Sequence, residues 1–187
     1  FRTGVEDALV PFQVPEVPGR DFFRNAGSTV HRGLEVAVQV APDPGSTAGL
    51  AYSWVEARFD RFRFRTAEAD LDGRRVPGVA PHRLTLSFER ILRGGWQLVL
   101  QGRFVSRMPV DDANSTRTEA YWIADLLLAH EGLGGGPTRI VPFVGSSNLF
   151  DESYTASVAV NAFGGRFFEP GPPRAVYGGV RVAWIGG

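Results

Sequence analysis

Val176-Tyr177-Gly178-Gly179-Val180-Arg181-Val182-Ala183-Trp184 is the stretch whose reading decides the fold of this chain. Val176, Gly178, Val180, Val182 and Trp184 fall on one face; Tyr177, Gly179, Arg181 and Ala183 fall on the other. A period of two marks a β-strand, here with one wholly apolar face and one face that admits an arginine. A soluble sandwich would bury the apolar face in a core. An outer-membrane barrel would turn it to lipid and the arginine to a wet lumen.

The same alternation recurs upstream. Leu34, Val36, Val38 and Val40 oppose Glu35, Ala37 and Gln39; Leu84, Leu86 and Phe88 oppose Arg83, Thr85, Ser87 and Glu89; Trp96, Leu98, Leu100 and Phe104 oppose Gln97, Gln101 and Arg103. Leu50, Tyr52 and Trp54 continue the pattern, and Arg58 to Arg65 alternates less cleanly. Turn chemistry separates these runs at Asp43-Pro44-Gly45-Ser46, Asp72-Gly73, Pro77-Gly78, Arg93-Gly94-Gly95 and Gly132 to Pro137. Ala120 to His130 reads as strand, because its helical spacing has no cap. Arg139 to Gly145, interrupted by Pro142, Tyr154 to Asn161, and Phe1 to Gln13 are further strand candidates. The expectation is an all-β antiparallel meander of about nine long strands, with no helix for a βαβ crossover.

The 187 residues carry twenty cationic and twenty anionic side chains, so no basic footprint for nucleic acid exists. Cysteine is absent, which removes disulfides and thiolate metal sites. No run of about 18 apolar residues is present, so no transmembrane helix is expected; barrel strands need only about 9–11 residues. The chain begins Phe1-Arg2-Thr3-Gly4 without methionine or signal peptide, so it is expected to be a mature form or a piece of something longer. Alternation alone suits sandwich and barrel equally. Strand length and aromatics near strand ends (Trp96, Phe104, Trp122, Trp184) favour the membrane.

Several motifs in order then resemble the C-terminal part of the barrel of TonB-dependent outer-membrane receptors. They are Asn25 and Gly27 followed by Gly33 and Glu35; Pro77-Gly78 with Pro81, His82 and Leu84; Val105-Ser106 with Asp111-Asp112 and Asn114; Asn148-Leu149-Phe150-Asp151 with Tyr154; and Arg174 with Tyr177-Gly178-Gly179. The resemblance implies that residues 1–187 are the last portion of a 22-strand barrel in the bacterial outer membrane. It implies uptake of a scarce nutrient such as a metal chelate. The partners implied are membrane lipid, the rest of the barrel, a plug, and TonB through an N-terminal part outside this chain. It also implies that the Asn148–Tyr154 turn faces the periplasm and the Phe163–Pro173 loop the outside. Family members usually end on an aromatic residue, whereas Ile185-Gly186-Gly187 follow Trp184 here.

No catalytic constellation, cofactor or metal site is expected. His31, His82 and His130 are scattered; Asp70-Leu71-Asp72-Gly73 lacks the later calcium ligands; Gly132 to Gly136 opens no helix, unlike a phosphate loop. The ligand candidates are Phe163, Arg166, Phe167 and Phe168, which suit stacking and ion pairing at a barrel mouth. The alternative to a receptor segment is a self-contained small β-barrel holding an apolar ligand. An enzyme on a small barrel is a third reading, for which the sequence offers no residues.

Overall fold

The structure is a computed structural model, and it describes residues 1–17, 19–25, 27–62, 71–134 and 138–184. Its strands are β1 (Arg2–Val5), β2 (Leu9–Phe12), β3 (Phe22–Asn25), β4 (Gly27–Asp43), β5 (Ser46–Phe62), β6 (His82–Ile91), β7 (Trp96–Val105), β8 (Tyr121–His130), β9 (Thr138–Ser147), β10 (Thr155–Val158), β11 (Phe168–Pro170) and β12 (Ala175–Trp184). One antiparallel sheet has the order β1-β4-β5-β6-β7-β8-β9-β12; β2 pairs with β3, and β10 with β11, as separate hairpins.

The fold class expected from the sequence holds, with four differences of detail. Among the described residues eight strands build the main sheet, seven of them ten or more residues long, against the about nine long strands expected. Phe1 to Gln13 is not one strand, because β1 pairs with β4 while β2 turns away to β3. Tyr154 to Asn161 shortens to β10 and leaves the sheet, since β9 takes β12 as its neighbour over ten register pairs. As a result the whole excursion 148–174 leaves and re-enters the sheet at one end. The Asn148–Tyr154 turn and the Phe163–Pro173 loop therefore lie on the same side, not on opposite sides of a membrane. Arg63 to Arg65, Asp70, Gly135 to Pro137 and Ile185-Gly186-Gly187 fall outside the described residues.

Register carries the two faces intact across the sheet, because residues directly opposite in an antiparallel pair share a face. Val36, Tyr52, Leu84, Phe104 and Trp122 form one continuous row. Val40, Ala48, Phe88, Leu100, Leu126, Ser146 and Val176 form another. Behind them, Gln39, Gly49, Ser87, Gln101 and Asp125 make a polar row. The apolar face is bare: Val176 and Trp184 are each 73% exposed, and Leu34 and Val38 more than half. Apolar surface of that extent on a soluble monomer would be an association site.

Pro142 shapes the β8–β9 seam. Its ring nitrogen has no hydrogen to give, and the β8–β9 ladder covers only Leu126↔Ser146 to Ala129↔Phe143. On the other side Pro142 sits in register with Val180, and the ladder to β12 runs past it.

Candidate functional site: the long-loop end of the sheet

The two ends of the sheet are built differently. At one end lie the connections 44–45 and 92–95 and residues 131–134. Gly94 and Gly95 both have positive φ (76° and 77°), the left-handed backbone that glycine adopts without a Cβ clash. The Asp43 Oδ1 accepts the Gly45 N–H at 2.9 Å. His130 locks this end: Gly132 N–H donates to its Nδ1 at 2.9 Å, so its Nε2 carries the proton shared with Gly94 O at 2.7 Å. That makes His130 a structural histidine. His31 contacts Thr29, and His82 lies 2.8 Å from the Tyr52 hydroxyl, so the three histidines serve three separate places.

At the other end lie 71–81, 106–120 and 148–174, together with the β2–β3 hairpin. Among the described residues the buried apolar ones are all here, in these loops or the strand ends that feed them: Val10 and Phe59 pack with Val76, and Val110 is fully buried. Polar side chains stitch the loops together. Arg24 Nη2 donates to the buried Asp112 Oδ2 at 2.9 Å while its guanidinium lies 5.2 Å from the Phe12 ring centroid. Asn161 accepts from Asp112 N–H at 2.9 Å and donates to Pro11 O at 3.0 Å. Asn114, at φ 55°, closes a two-way bond with the Arg75 backbone (2.9 and 2.8 Å).

The motif residues sit in this same region. Asn25 accepts from Gly27 N–H at 2.8 Å and donates to Asp7 at 2.8 Å. The Phe1 ring occupies the space a Cβ on Gly33 would fill, at 2.4 Å. Glu35 is exposed on the polar face opposite Ser53. Pro77 and Pro81 are buried, Pro81 O accepting from Val55 N–H at 2.9 Å. Gly78, at φ 78°, donates to Pro109 O at 2.9 Å. Asn148 takes φ 47°; its backbone N–H donates to Asp125 at 2.8 Å, and its side chain bonds both ways with Glu152 (2.8 and 2.9 Å). Leu149 N–H reaches Ala124 O at 2.7 Å, Asp151 accepts from Arg174 N–H at 2.8 Å, and Phe150 is 77% exposed. Asn and Asp hold these positive-φ turns because their short side chains bond the local backbone.

Of the four aromatic and cationic candidates, the structure brings one to a cavity. Phe168 lines a cavity of about 430 Å³ with Tyr121, Tyr154, Arg117 and Glu119. The Tyr121 and Tyr154 rings meet at a centroid separation of 4.8 Å with their planes tilted by 40°, and the Tyr154 ring fills the place of a side chain on Gly171. Phe167 touches the Phe168 ring at 6.1 Å. Phe163 and Arg166 are exposed and do not line it; Phe163 is tied by its N–H to Gln13 at 3.2 Å. Arg117 and Tyr121 escaped the sequence reading, because only tertiary packing sets them beside the 148–174 excursion. Among the described residues no three His, Asp or Glu side chains gather as a metal site.

A family model described as "TonB dependent receptor-like, beta-barrel" matches residues 1–135. Solved structures share the fold. The ferric-catecholate import receptor Fiu from E. coli K12 matches over 98% of this chain and 24% of its own, at 22% identity and TM-score 0.66. The siderophore receptor PiuA from Acinetobacter baumannii matches over 97% and 25%, at 14% identity and TM-score 0.75. The ferric yersiniabactin uptake receptor FyuA from Yersinia pestis matches over 98% and 26%, at 21% identity and TM-score 0.69. The chain thus spans about a quarter of the length of these receptors.

Proposed function

The chain belongs to the TonB dependent receptor-like β-barrel family and lies in the outer membrane, and from that premise we propose that residues 1–187 form the C-terminal part of the barrel wall of a receptor taking up a scarce nutrient of the ferric-chelate class. The observation that carries this reading is the single bare apolar face running in register over a polar face from β4 to β12. Between Trp96 and Phe104 that face spans eight residue steps, about 27 Å along the strand and roughly 20 Å high once tilted, near the band of a transmembrane barrel. Aromatic residues bound it at both ends: Tyr52, Phe104 and Trp122 above, Trp96 and Trp184 below.

Barrels of this kind have short periplasmic turns and longer outer loops, so 71–81, 106–120 and 148–174 face outward. That orientation puts the Phe168–Tyr121–Tyr154 cavity at the outer mouth, where aromatic rings and Arg117 suit a flat, anionic chelate. The asparagines and aspartates of the motif hold the loops that shape this mouth. A plug and a TonB-contacting segment elsewhere in the receptor would supply gating and energy; the wall supplies the lumen.

The test uses the whole receptor that carries this chain. Cells making it should accumulate a radiolabelled ferric chelate in a TonB-dependent manner, and Tyr121→Ala with Phe168→Ala should weaken chelate binding about tenfold or more. Uptake of every ferric chelate tried at the level of cells lacking the receptor would sink the substrate class. Unchanged binding in the double variant would remove the cavity from the site.

A further inference from the structure

Beyond the Leu34–Trp54 pair, where the apolar band gives way, the same outward face turns cationic. Register sets Arg32 against Glu56 one alternation further on, and Arg2 directly against Arg32. The next row sets Arg58 opposite Val30 and, through an antiparallel bridge, opposite Arg75. Two arginine pairs therefore face one another, Arg2 and Arg32 across neighbouring strands and Arg58 and Arg75 across an isolated bridge. Like charges directly opposite are destabilising in a sheet. One carboxylate within these rows, Glu56, answers them, and it is engaged by Arg58 through Nε and Nη2 at 2.9 and 2.7 Å. Arg58 Nη1 is also taken, by Gly73 O at 2.6 Å. Asp60 borders the same space but sits beside Arg61 at 3.9 Å and Ser28 at 3.3 Å. Arg2 and Arg32 make no ion pair with a described residue, are exposed, and line a cavity of about 370 Å³.

We propose that Arg2 and Arg32, backed by Arg58 and Arg75, hold the phosphate of a membrane lipid headgroup against the outer wall of the barrel. Position selects the lipid over a soluble anion. Arg32 is two residues past Leu34, roughly 7 Å along the strand, which is headgroup depth above an apolar band. Arginine's planar fork fits phosphate oxygens bidentately, and a phosphate between Arg2 and Arg32 turns a repulsive cross-strand pair into two charge-assisted contacts. Basic residues at this level attract anionic headgroups. The inference rests on the barrel-wall reading above and adds a lipid site on its outer side, away from the Phe168 cavity.

The experiment places the whole receptor in phosphatidylcholine nanodiscs doped with phosphatidic acid and reads retained lipid by native mass spectrometry. Phosphatidic acid should be enriched on the wild type. Arg2→Ala with Arg32→Ala should retain it about 30-fold more weakly. Glu56→Gln, which removes the competing carboxylate, should tighten retention. Heat-modifiable electrophoretic mobility reports folding; if the double arginine variant does not fold, Glu56→Gln decides, and unchanged retention there overturns the proposal. Equal retention by wild type and a folded double variant also overturns it. Displacement by equimolar inorganic phosphate would mean a free-anion site and no lipid site. A wild type that fails to enter the disc would sink the barrel-wall reading and this proposal together; a wild type that enters without enrichment sinks only this one.

Discussion

Asp111 shows how single polar side chains hold the long loops. Burial favours its neutral form, but the N–H groups of Ser115 and Thr116 (2.9 and 2.7 Å) and their hydroxyls outweigh burial and hold its carboxyl below the ordinary carboxylate value. A depressed folded value means the ionised form is the one that stabilises. The contribution is therefore fully present above the unfolded value of about 3.9 and is lost as pH falls through the folded value. Asp111→Asn should lower loop stability at neutral pH and flatten its dependence below about pH 4. Amide exchange of Ser115 and Thr116 against pH checks this; an acid limb equally steep in the variant would mean another group is responsible. The motif residues make the same argument. Asn114, Asn148 and Asp151 stand at positive φ and bond local backbone, so their role in this chain is to shape turns.

At the scale of a strand, sidedness sets the cost of a substitution. Leu100 and Gln101 are neighbours on β7, yet Leu100 shares its row with Phe88 and Leu126, and Gln101 with Ser87 and Asp125. Leu100→Arg should cost about 2–4 kcal/mol of folding free energy in lipid, because a guanidinium near the midplane must be drawn out of hydrocarbon. Gln101→Arg, on the wet side, should stay within about 0.5 kcal/mol. Denaturant unfolding from vesicles measures both. Similar losses for the two variants would contradict the assignment of faces. The β8–β9 seam is the weak element of the wall: its ladder is four pairs long and stops at Pro142, against ten pairs between β9 and β12.

The whole molecule has two unsatisfied features beyond its bare face. The outer edge of β12 has no partner among the described strands, and β1 covers only Thr29–Arg32 of β4, leaving the edge of Leu34–Asp43 open. Open edges and an apolar face both drive association. Without detergent, the isolated chain should sediment as large aggregates, whereas in detergent its strand signal by circular dichroism should persist. A monodisperse, detergent-free monomer would instead favour a self-contained barrel around an apolar ligand. Closure of a wall with these edges requires further strands, as the fold shared with receptors about four times this length implies.

Sequence alone determined the two faces, since a period of two forces Val176, Val180, Val182 and Trp184 to one side and Tyr177 and Arg181 to the other whatever the strand pairs with. The turn positions were equally local, because Pro44-Gly45 and Gly94-Gly95 need nothing beyond their own backbone preferences. What only tertiary structure decided is who neighbours whom. The pairing of β12 with β9 gathers 148–174 at one end and sets Phe168 beside Tyr121, and the pairing of β1 with β4 places Arg2 against Arg32. Such contacts join residues tens of positions apart through ladder hydrogen bonds, and no local pattern of alternation encodes that choice of partner.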